Sequence, residues 1–126
     1  MANEISYVIT ITYANPNYNI TQFTFTSGSD AISIQGEPGP YQRGTFTTST
    51  SQTAIPSAAI GTLGAAVLRN CDATNTIFVY PTAADTNALL QLNPGEVQFV
   101  RFATTAVPSV KSSAGTPILE YLMIGN

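Results

Sequence analysis

The residues able to do chemistry are few, and their types narrow what that chemistry is. The chain has no His, which removes the commonest general base and metal ligand. Its single Cys, Cys71, leaves no thiolate set for zinc and no internal disulfide. The seven acids are Glu4, Asp30, Glu37, Asp72, Asp85, Glu96 and Glu120. A pair of them brought together from distant strands is enough to hydrolyse a sugar bond. Glycosidases of this size usually need an aromatic-lined cleft, and the chain has no Trp. No Gly-rich phosphate loop precedes a helix, and no Ser sits in a Gly-x-Ser-x-Gly elbow. The reading is of a protein that is not an enzyme and holds no cofactor.

Asp72, with Asn70, Thr74 and Asn75, offers oxygen ligands of the kind calcium takes. One acid is little charge for a tight site, and an Asx-turn closing a hairpin uses the same residues. No metal site is expected. Cys71, beside that turn, reads as a small buried or half-buried filler, with only Arg69 as a nearby cation. Tyr41, Arg43 and Phe46 are the candidate partner-binding residues. Tyr and Arg are enriched where interfaces carry most of their energy. They lie on or beside Gly36–Gly44, which holds two Pro and three Gly in nine residues and reads as a loop. The alternative is a plain hairpin connection with Tyr41 folded over the core edge.

The elements that position these residues are strands. Glu4–Tyr13 alternates, with Ile5, Tyr7, Ile9, Ile11 and Tyr13 on one face. Ile20–Thr26 and Ala31–Gln35 follow. Thr45–Ile55 is Thr- and Ser-rich and reads as an edge strand or an arm, and Pro56–Ile60 has room for one helical turn. Gly64–Phe102 reads as a meander of four strands: Ala65–Arg69, Thr76–Tyr80, Leu89–Leu92 and Val97–Phe102. Asn93-Pro94-Gly95-Glu96 places Pro and Gly where a type II turn wants them. Val110–Ser112 is a short strand. Ile118–Ile124 is apolar on both faces except for Glu120, so it is central in a sandwich or buried against a partner. Eight or nine strands at spacings of about ten residues predict one antiparallel β-sandwich, jelly-roll-like, spanning residues 1–126. The expected core holds Tyr7, Ile9, Ile11, Phe23, Phe25, Val67, Ile77, Val79, Phe99 and Leu122.

Composition bounds the setting. Only 9% of residues are charged, against about 25% in an ordinary domain. Ser and Thr number 28, more than twice the 11 charged residues. Such a surface suits a protein covered by neighbours, or a β-protein rich in Thr because Thr favours strands. The four cations, Arg43, Arg69, Arg101 and Lys111, are dispersed, so no cationic stripe points to nucleic acid. No apolar run is long enough to span a membrane, and the N-terminus does not read as a signal peptide. Asn19-Ile20-Thr21 matches the glycosylation pattern, which without a secretory signal reads as chance.

Three segments carry a family likeness: Leu68-Arg-Asn-Cys-Asp-Ala-Thr-Asn-Thr-Ile-Phe-Val-Tyr80, Leu90-Gln-Leu-Asn-Pro-Gly-Glu-Val-Gln-Phe-Val-Arg-Phe102 and Ile118-Leu-Glu-Tyr-Leu122. Together, over residues 64–124, they resemble small β-sandwich virion proteins of tailed bacteriophages. Cys71 stands where that pattern has a larger apolar residue. The resemblance implies a capsid decoration or cement protein, made in the host cytoplasm and located in the virion, with the major capsid protein or other virion proteins as partners. A tail or neck component that binds host carbohydrate through Tyr13, Tyr18 and Tyr41 is the alternative. An unpaired Thr-rich edge and a two-sided apolar final strand add the expectation of a homotrimer.

Overall fold

A computed structural model describes residues 8–15, 18–26, 33–35, 41–57, 60, 62–102 and 107–125. Among the described residues there are eleven strands: β1 (Val8–Asn15), β2 (Tyr18–Thr26), β3 (Ser33–Gln35), β4 (Tyr41–Thr47), β5 (Thr53–Ala54), β6 (Leu63–Asn70), β7 (Ile77–Tyr80), β8 (Leu90–Leu92), β9 (Val97–Arg101), β10 (Ser109–Ser112) and β11 (Ile118–Gly125). Eight of them form two four-stranded sheets, ordered β5-β10-β7-β8 and β4-β11-β6-β9, and all their pairings are antiparallel. The fold is all-β and consistent with a β-sandwich. Strands β1, β2 and β3 make a separate three-stranded sheet that shares no ladder with the other two. Among the described residues no helix is long and apolar enough to cross a membrane.

The core lies between the four-stranded sheets. Leu63, Ala66 and Leu68 of β6 and Leu119, Tyr121 and Met123 of β11 meet Ile77 and Val79 of β7, Leu92 of β8 and Val110 of β10, with Ile55 and Ile60 beside them. These residues alternate along each strand because side chains repeat every second residue. One extra residue, Gly64, falls between the pairs Leu63–Gly125 and Ala65–Ile124. That bulge brings Leu63 onto the same face as Ala66. Gly44 lies opposite Tyr121 in the ladder, and a Cβ there would come within 2.9 Å of the Tyr121 hydroxyl. The absent side chain lets the Tyr121 ring lie across β4, with Phe46 edge-on at 6.0 Å.

Several expectations are corrected. The four strands from Gly64 to Phe102 are not a meander. β6 and β9 belong to one sheet and β7 and β8 to the other, so the chain crosses between sheets twice. Turn residues mark where a strand ends but not which sheet the next one joins. Tyr41–Gly44 is strand rather than loop, since β4 begins at Tyr41. Phe99 is 39% exposed and not in the core. The described residues of the Pro56–Ile60 stretch form no helix, and the Ile60 amide bonds the Ser57 carbonyl at 3.2 Å. Val67, Ile77, Val79 and Leu122 are buried as expected. Tyr7 lies outside the described residues, as do the side chains of Ile9, Ile11, Phe23 and Phe25.

Candidate interaction surface

Strand β4 carries the three residues singled out for partner binding and divides them. Among the described residues it is an edge strand, bonded to β11 alone. Along it exposed and half-buried residues alternate, with Tyr41, Arg43, Thr45 and Thr47 exposed. Phe46 points the other way and packs against the core. Tyr41 and Arg43 therefore share a surface from which Phe46 is excluded. Tyr41 is 44% exposed, and Arg43 makes an interaction of its own within the chain.

That surface is the outer face of the β4-β11-β6-β9 sheet, and register resolves it into rows. Tyr41, Ile124, Ala65 and Arg101 form one row; Arg43, Leu122, Val67 and Phe99 form the next. Thr45, Glu120, Arg69 and Val97 form a third. In this last row Arg69 Nη1 lies 3.5 Å from Glu120 Oε1, and both side chains are about nine-tenths buried. Three of the chain's four cations, Arg43, Arg69 and Arg101, stand on this one face. The fourth, Lys111, is on β10, with its ammonium 5.9 Å from the Tyr80 ring centre. Cations dispersed in sequence are thus gathered by strand register.

One end of the sandwich is built around Asn70. Its amide Nδ2 donates to the carbonyls of Asn75 at 2.8 Å and Leu92 at 3.0 Å, and its Oδ1 accepts from the Asp72 amide. Its backbone bonds Glu96 O and Gly95 N, so one buried residue ties both inter-sheet crossings together. Gly95 has φ +77°, and the Glu96 amide bonds Asn93 O at 3.0 Å, as a type II turn requires. Asp72 Oδ1 accepts from the Thr74 amide at 2.7 Å, the Asn75 amide at 2.6 Å and the Thr74 hydroxyl at 3.1 Å. Those backbone bonds, from Asn75 first and then Thr74, hold its carboxyl below the ordinary value. The Asx-turn reading accounts for every one of these contacts, although the turn joins two sheets rather than closing a hairpin. No group of three or more His, Cys, Asp or Glu able to hold a metal occurs among the described residues.

Cys71 is exposed, which corrects its expected role as a filler. It follows the last residue of β6 at a corner where the chain leaves the sheet. At the opposite end Gln52 Nε2 donates to Ser109 Oγ, Thr82 O and Asp85 O, and Asp85 Oδ2 accepts from the Thr82 amide and hydroxyl. Sequence reasoning missed this knot because its members lie far apart in the chain. Exposed apolar residues sit at the margins: Leu89, Val107 and Ile118 besides Phe99. Compared with protein-family models, with curated proteins and with solved structures, the chain matches none.

Proposed function

We propose that the chain is a structural protein of a tailed-bacteriophage virion: a capsid decoration protein that binds and stabilises the assembled head as a homotrimer. The observation that carries this reading is the strand order. β4 pairs with β11, β5 with β10, β6 with β9 and β7 with β8, so the chain is one long ribbon folded over on itself. That nesting supports a jelly-roll reading, and jelly rolls serve as coat and lectin scaffolds. The connections between the eight sandwich strands contain no Lys or Arg, since all four cations sit on strands. Low charge and hydroxyl-rich tips fit a surface that is covered when the protein works.

The test uses the full chain and purified heads. Added protein should co-sediment with heads and saturate, and antibody against it should label heads in electron micrographs. Light scattering should give a trimer, in solution or only on the shell. Tyr41→Ala with Arg43→Ala should lower occupancy while leaving the melting temperature nearly unchanged. A chain that never sediments with heads, or labels only tails, would overturn the reading. Labelled tails would instead favour the carbohydrate-binding alternative, for which exposed Tyr41 beside polar β4 is the supporting observation.

A further inference from the structure

The outer face of the β4-β11-β6-β9 sheet is buried at its centre. Val67 and Leu122 are 0% exposed and Ile124 is 4% exposed. All three lie on the face turned away from the inter-sheet core, because their ladder neighbours Ala66, Leu68, Tyr121 and Met123 are the residues that face it. Arg43, Arg69 and Glu120, on the same outer face, each make a further interaction within the chain.

The cover has to be wide. Four strands span roughly 14 Å from the first to the last, since neighbours lie about 4.8 Å apart. Residues 1–40 are the longest part of the chain outside the two four-stranded sheets, and they contain the sheet β1-β2-β3.

That sheet has the complementary need. Its register sets Ile9 opposite Phe25, Ile11 opposite Phe23, and Ile34 opposite Phe23. The alternate positions pair Val8 with Thr26, Thr10 with Thr24 and Thr12 with Gln22, and there Val8, Thr10 and Thr12 are exposed. By the period of two, one face of this sheet is apolar and the other faces water. A three-stranded sheet is stable only when its apolar face is buried. Charge agrees with apolarity: residues 1–40 hold Glu4, Asp30 and Glu37 and no Lys or Arg, while the outer face has exposed Arg43 and Arg101 at its margins and a buried Arg69–Glu120 pair on its central strands. We infer that β1-β2-β3 of the same chain packs on the outer face of β4-β11-β6-β9 as a third layer. The largest apolar face of the sandwich is then already occupied within the chain, and a partner meets the two loop ends and the β4 edge instead.

Photo-crosslinking of the full chain tests this independently of any particle. Phe99 and Tyr41 flank the covered rows at opposite edges and are exposed, so p-benzoylphenylalanine at either position leaves the packing undisturbed. Each variant is mixed with an equal amount of isotope-labelled chain, irradiated and digested, and the crosslinked peptides are identified by mass. The expected product joins the probe to residues 8–35 with one isotope composition throughout. Crosslinks of mixed isotope composition would mean that a second copy supplies the layer, which overturns assignment to the same chain. Photoreaction at both positions without any product in residues 8–35 would overturn the third layer altogether. Unchanged circular dichroism in both variants establishes that the folded chain was probed.

Discussion

Val67 and Phe99 are ladder partners on the same face of one sheet, yet Val67 is fully buried and Phe99 is 39% exposed. β6 is a central strand and β9 an edge strand. The same contrast runs along the whole row, from half-open margin through Leu122 and Val67 to half-open margin. Alternation tells which face a residue is on, and position within the sheet tells how deeply that face is covered. A large apolar residue at an edge thus carries much less stability than a smaller one at the centre.

The contrast is broken or sharpened by substitutions moving outward from the centre. Leu122→Ala removes a side chain packed on all sides and should cost about 3–4 kcal/mol in a urea or guanidinium series. A loss below about 1 kcal/mol there would mean that the outer face opens readily. Asn70→Ala, at the end of the central strand, leaves the buried Leu92 carbonyl and the half-buried Asn75 carbonyl without their donor and should cost about 2–3 kcal/mol. Phe99→Ala, in the same row as Leu122, should cost about 1 kcal/mol or less, because much of the ring is already in water. A cost near that of Leu122→Ala would show the edge to be as closed as the centre.

The smallest effect belongs to Asp72, beyond the end of β6. Its carboxyl is held below the ordinary value by bonds that exist only in the folded turn. Its contribution is therefore complete above the unfolded pKa near about 4. It is lost as pH falls through the folded value. Melting curves of the parent and of Asp72→Ala should differ slightly at neutral pH and converge in acid. A difference that grows as pH falls would show that the carboxylate is not what holds the corner.

Much of the strand pattern was legible in the residues. Ile118–Ile124 was readable as a two-sided central strand because apolar residues fill both phases, and Asn93–Glu96 because Pro and Gly occupy turn positions. β4 was not. The Gly and Pro residues just before Tyr41 masked an alternation of Tyr41, Arg43, Thr45 and Thr47 against Gln42, Gly44 and Phe46. Phe99 misled for another reason: it keeps phase with buried Val97, and only the sheet order reveals that the cover thins toward the edge. The surface gathering Arg43, Arg69 and Arg101 could not be read at all, because it depends on registers of β4 with β11, β11 with β6 and β6 with β9, whose paired residues lie 28 to 83 residues apart. Nor could the Asn70 hub, whose hydrogen bonds reach Leu92 and Glu96 across a sheet crossing.

The nesting of strand pairs has a consequence for how the protein is made. β11 lies between β4 and β6 and is bonded to both, so the sheet has a gap at its middle until the final strand arrives. On a ribosome, β4 and β6 emerge early and must wait through all of β7 to β10 before Ile118–Gly125 can be inserted. Ladders that join residues so far apart are slow to form, and the unpaired edges exposed meanwhile invite pairing with other nascent chains. Of the strands in that sheet β4 is made first, so its edge waits longest with its backbone groups open.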